Sequence, residues 1–349
     1  MLQEKHFVRF DKNITQIVKG FAIIFMMILH CYTRVNYDVE LSDSILLIGG
    51  FHKTFKICVA IFLFMVGYGY SFSRNKDWKY SLQHIKKLLI PFWTILLIFT
   101  FPFCFDSVVS DIKTTIYSLV GISSFYNEFS WFVYFFIFAM VVMPFISRFI
   151  DKKPILNSCV AIVAAVLFAI LLHEAPRFLT AFGVNLPTVD ESQPYLALFN
   201  CFWMMPSMLL GYLFAHEAYF ERIDLSRCSR FWTLIFSVVA IICAFALRRY
   251  TYTLMDFFGA PVLIAAIAVL FNKFRWTYFR RLMIKIGELS VYMWFFHALF
   301  YTKAVRWFYQ PAITIFNDIN LVVLWAIILT FFASWLIKSV VDAIYQRIS

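Results

Sequence analysis

Two histidines and a few cations lie within apolar sequence, and they carry the chemistry this chain can perform. In "KGFAIIFMMILHCY" a lysine and a histidine, Lys19 and His30, bracket an apolar run. Eleven helical steps end about 20° past three full turns, so both residues share one face, roughly 16 Å apart along the axis. A second stretch, "KIGELSVYMWFFHALFY", places Glu288 near one end and His297 among aromatic residues. An imidazole titrates near neutrality and suits proton abstraction from a hydroxyl. A lysine suits an anionic group such as a phosphate. Ionisable groups within a membrane are costly and tend to mark function. The plainer reading stands beside this one. Lys19 can snorkel to an interface, His30 can be interfacial, and a lone buried histidine can simply pack. Two histidines at similar depth favour a shared cavity.

Other polar positions are less specific. Glu128, in "NEFSW", either faces an outer vestibule or caps the helix that follows. Lys86 and Lys87, in "HIKKLLIPFW", fit a phosphate site or an ordinary basic membrane flank. Asp256 reads as a helix-start charge. His173–Glu174 is no zinc motif, because Arg177 stands where HExxH needs its second histidine. The seven cysteines show no paired or zinc spacing and read as small buried apolar residues, and no metal is expected. No nucleotide-binding glycine loop and no GxSxG occurs, which argues against ATP hydrolysis.

The elements that must position these residues are membrane helices. The 349 residues are 62% hydrophobic and only 15% charged, whereas soluble domains run nearer half and a quarter. Ten apolar runs are long enough to cross a bilayer: 14–33, 54–73, 86–105, 129–149, 155–173, 196–216, 231–247, 254–272, 284–302 and 319–340. The stretch 112–126 reads as re-entrant or interfacial. No small-residue cleavage site follows the first run, so it reads as a span and not as a removable leader. With the N-terminus inside, 22 of the 31 lysines and arginines fall on inner segments. That bias predicts N-in/C-in topology for an all-α, polytopic membrane protein. The net charge of +11 is then a property of inner loops, and nucleic acid is not an expected partner. Short loops leave no room for a separate soluble domain, so 1–349 reads as one integral-membrane domain of open oligomeric state, contacting lipid all round.

The motifs, taken in order, resemble the integral-membrane acyltransferase type 3 family, which includes bacterial O-acetyltransferases of surface polysaccharides. The first span has the family's basic residue, glycine and distant histidine at Lys19, Gly20 and His30. "FLFMVGY", Phe62 to Tyr68, is similar to the second-span motif. Lys86, Lys87 and Pro91–Phe92 open the third, and Trp131–Phe132 leads to Pro144. Gly287, Ser290, Tyr292 and His297 follow near the end. The resemblance is strongest over 14–300. Two positions depart from it. Lys19 stands where arginine is usual and lacks the bidentate fork. Val66 stands where serine is common, which puts a role for that hydroxyl in doubt.

The resemblance implies transfer of an acetyl or other short acyl group from cytoplasmic acyl-CoA to a hydroxyl of a cell-surface or lipid-linked glycan. It implies His30 and His297 as catalytic residues, Lys19, Lys86 and Lys87 as donor-binding residues, and Glu128 and Tyr292 against the acceptor. His297 stays open between acid, orienting group and transient acyl carrier. The acceptor and the acyl group are not specified. A flippase or exporter of lipid-linked glycan, which would consume no thioester, is the alternative from another class.

Overall fold

The computed structural model describes residues 7–34, 48–73, 76–180, 182, 187–188, 191–251 and 256–348. Its regular structure is helical. Among the described residues, ten helices are long and apolar enough to cross a membrane, as the sequence predicts. They are α1 Lys12–Arg34, α2 Cys58–Ser71, α3 Trp78–Ile95, α4 Trp131–Ile150, α5 Pro154–Thr180, α6 Gln193–His216, α7 Arg230–Tyr250, α8 Asp256–Lys273, α9 Thr277–His297 and α10 Ile319–Ile348. The chain is a multi-pass membrane protein.

Local chemistry sets several helix starts. The Asp11 carboxylate accepts from Ile14 N at 3.0 Å, Asp77 accepts from Tyr80 N at 2.9 Å, and Ser229 caps α7. Each satisfies a backbone donor that the first helical turn leaves bare. Prolines sit inside α3, α4, α5, α6 and α8, at Pro91, Pro144, Pro176, Pro206 and Pro261. Membrane helices tolerate them because neighbouring groups can satisfy the freed backbone. Past Ile95, α3 widens into a π turn, Leu96–Thr100, and then tightens into a 3-10 turn, Phe101–Phe103.

Three boundaries depart from the sequence reading. α3 begins at Trp78 and not at 86, because the Asp77 cap starts it two turns earlier. Lys86 and Lys87 therefore lie within the helix. A 3-10 helix, Ile48–Ile57, runs directly into α2, so that span begins at Gly50 despite Lys53 and Lys56. α5 continues through "HEAPRFLT" to Thr180, where Glu174 pairs with His173 and Arg177 on the helix surface. The stretch 112–126 holds one short helix, Ile112–Leu119, with Ile112 and Ile116 exposed. Its cap, Asp111, accepts from Thr114 N, and that hydrogen bond holds the carboxyl below its ordinary range. The cysteines are free thiols, but Cys159 and Cys243 are exposed on α5 and α7, so burial is not their common feature.

The chain forms two compact units of interleaved segments. The first holds Met1–Phe72, Ser207–Ser290 and Asp318–Ile327. The second holds Ser73–Pro206, Val291–Asn317 and Ile328–Ser349. Glycine sets the helix crossings of the first unit. A Cβ on Gly67 of α2 would overlap the Met208 carbonyl of α6, and one on Gly211 of α6 would overlap the Phe64 carbonyl of α2. Gly20 of α1 and Gly287 of α9 meet in the same reciprocal way, against Met283 and Gln16. Without a hydrophobic drive between helices in lipid, such close backbone approach is what packs them.

Candidate active site

In the first unit, α1 carries both Lys19 and His30 without interruption, so the one-face relation holds. Both are partly buried. Between them on that face lie Ile23 and Met26, which are fully covered by protein. Among the described residues Lys19 makes no hydrogen bond or ion pair. A partly buried ammonium without a counter-ion is costly, and an anionic ligand would supply what the protein does not. Two turns of α1 pack through Gly20 onto α9, which fixes the rotation of this face.

Beyond His30, Tyr32 donates its hydroxyl to Asn320 Oδ1 at 2.8 Å and stacks on His52, with ring centroids 5.7 Å apart and planes 20° apart. His52 is buried. The sequence gives little signal for it, because the neighbouring Lys53 and Lys56 make its surroundings resemble a loop. Asp256 stands in the first turn of α8, as the sequence predicts. Asp256 is buried, and its Oδ1 lies 3.3 Å from Arg248 Nε of α7. Opposite charges flanking a short connection were the available signal. Breaking such a buried pair from one side costs about 3–5 kcal/mol.

The second unit holds the other candidates. His297 is fully buried at the end of α9. Its Nδ1 lies 2.8 Å from the Met293 carbonyl. A carbonyl can only accept, so Nδ1 carries the hydrogen and Nε2 the lone pair in the neutral ring. Phe129 stacks on the imidazole at 5.1 Å and 14°. The turn that presents Phe129 is fastened at three points to the end of α9 and the segment that follows it. Asn127 Nδ2 donates to Phe295 O at 3.0 Å, Trp294 Nε1 donates to Phe129 O at 3.1 Å, and Glu128 N donates to Thr302 Oγ1 at 3.1 Å. "NEFSW" is thus a clamp on the histidine helix. The structure brings Glu128 into the same turn as the ring that covers His297. Tyr292 is buried one turn earlier on α9.

Lys86 and Lys87 belong to this unit and are exposed on α3. The remaining candidates are divided: Lys19 and His30 stand in the first unit, and His297, Glu128, Tyr292, Lys86 and Lys87 in the second. Glu288, noted beside the α9 motif, forms an exposed pair with Lys285 at 3.5 Å.

The clamp gives a direct prediction. Asn127→Ala leaves the buried Phe295 carbonyl without its donor, a loss of about 1–3 kcal/mol. The melting temperature of the detergent-solubilised protein is expected to fall. Asn127→Asp should fall as well, because a carboxylate cannot donate. An unchanged melting temperature in both variants would show that the turn is held by other means.

Residues 15–339 match the acyltransferase domain of the acyltransferase 3 family. The chain belongs to that family, and membership implies an acyl donor and an acceptor. No curated protein and no solved structure matches it significantly.

Proposed function

We propose that this protein is an O-acyltransferase of the inner or plasma membrane. It moves an acetyl or other short acyl group from cytoplasmic acyl-CoA to a hydroxyl of a cell-surface or lipid-linked glycan. The observation that carries the reading is Lys19: a partly buried cation with no hydrogen bond or ion pair among the described residues, on the same helix face as His30. With the N-terminus inside, Lys19 lies towards the cytoplasm and takes a phosphate of the donor's nucleotide end. The roughly 16 Å to His30 is of the order of an extended pantetheine arm. Ile23 and Met26 are covered, so the arm runs beside that row and not over it.

The step needs no redox partner. A histidine accepts the acceptor hydroxyl's proton as the oxygen bonds to the thioester carbonyl carbon. The tetrahedral intermediate collapses, the C–S bond breaks, and the thiolate leaves and takes up the proton. The products are an ester and free CoA. We assign the base to His30, at the reacting end of the α1 face. The family resemblance gives His297 a part in the same reaction, and gives Glu128 and Tyr292 contact with the acceptor. Lys86 and Lys87, exposed on α3, are assigned to the donor's phosphates by the same resemblance.

The test is thioester turnover by purified protein in liposomes, given radiolabelled acetyl-CoA with and without glycan extract. Glycan-dependent release of CoA is expected, and Lys19→Met should need a higher donor concentration for the same rate. Movement of lipid-linked glycan without any CoA release would replace this reading with a flippase.

A further inference from the structure

From the last residue of α8 into the first turns of α9, Lys273 to Arg281, four cations fall within nine residues, and the structure sorts them into two kinds. Lys273 is committed to protein: its Nζ donates to Leu225 O at 2.7 Å and to Cys228 O at 2.9 Å, closing the end of α8 onto the turn before α7. Arg280 donates through Nη1 to Phe271 O at 2.9 Å. Arg275 and Arg281 are exposed, and among the described residues they make no hydrogen bond or ion pair. Both line a groove of about 370 Å³. Its wall is aromatic and stiff: Trp276 stacks on Phe274 at 5.4 Å and 11°, and meets Phe271 edge-on at 5.2 Å.

The surroundings say what kind of anion fits. Next to the groove, α9 exposes Tyr278, Phe279 and Leu282, which are 86%, 44% and 51% accessible. All stand in the first turns of a membrane-spanning helix. A soluble anion has no use for this apolar skirt. A ligand with a phosphate head and hydrocarbon chains matches both parts, because interfacial arginines attract anionic headgroups and aromatic residues settle at the same depth.

We propose that this groove is a binding site for one anionic phospholipid. Its phosphodiester sits between Arg275 and Arg281, and its chains lie along Phe279 and Leu282. The site does not depend on the acyl-transfer reading.

The test is native mass spectrometry of delipidated protein titrated with phosphatidylglycerol or phosphatidylcholine. The native chain is expected to retain phosphatidylglycerol preferentially. Arg275→Gln/Arg281→Gln should weaken its retention by about tenfold or more, since both basic groups facing the anionic headgroup are lost. Arg275→Lys/Arg281→Lys should keep most of it. Lys79→Gln/Arg148→Gln removes the same charge from exposed positions elsewhere and should leave retention unchanged, which separates a site from net charge. Equal loss in both neutralised pairs would overturn the proposal, as would no preference for the anionic lipid. Displacement of bound phosphatidylglycerol by CoA, reversed in the glutamine pair, would also overturn it and give the groove to the donor's nucleotide end.

Discussion

His30→Ala is expected to lower acyl transfer by about 10²–10⁴-fold, the usual contribution of a positioned general base. A neutral hydroxyl is a poor nucleophile towards a thioester, and its proton must leave as the new C–O bond forms. On the α1 face His30 is the only titratable group whose ordinary pKa lies near neutrality. Alanine is the best helix former, and α1 is continuous through this position, so the helix itself should survive. The control is therefore the melting curve and the elution profile of the variant, both expected close to native. The rate is read as CoA release at saturating donor, so a binding defect does not mask a chemical one. Native turnover in a folded His30→Ala protein would remove His30 from the chemistry and leave His297 as the base.

Gly67→Ala should abolish the native fold, or nearly so. The added methyl would overlap the Met208 carbonyl oxygen and crowd Tyr212 N, which are backbone atoms of α6 and cannot swing aside. Gly211 makes the reciprocal contact on Phe64, so α2 and α6 would have to separate along the whole crossing. Overpacking ordinarily costs about 1–3 kcal/mol. A backbone clash that side-chain rotation cannot relieve lies at or above the upper end, a large share of the total stability of a typical protein. Gly69→Ala is the matched control: on the same helix, a Cβ there meets nothing within 4 Å. Detergent-soluble yield and size-exclusion profile distinguish the two. Equal, native-like behaviour would show that the α2–α6 crossing is looser than this packing requires.

Much of the architecture is legible in the amino-acid order. Apolar runs of bilayer length must become helices, because in hydrocarbon every backbone group needs an internal partner. Lys19 and His30 share a face because α1 has no break and helical periodicity is regular. Helix ends were less legible. Asp77 starts α3 early, and α5 runs on through Pro176, since caps and neighbouring helices outweigh the local loss of hydrophobicity.

What tertiary structure decided is which polar groups are already partnered. Sequence alone shows Asp256, Glu288 and Asn127 as polar residues beside spans. Folding buries Asp256 against Arg248, leaves Glu288 on an exposed face with Lys285, and turns Asn127 into the fastening of the Phe129–His297 stack. It likewise commits Lys273 and Arg280 to carbonyls, while Arg275 and Arg281 make no hydrogen bond or ion pair among the described residues. Hydrogen bonds and ion pairs depend on atoms brought within about 3 Å from distant parts of the chain. Composition and periodicity establish that a polar residue is present and on which face, but only packing determines what that face meets.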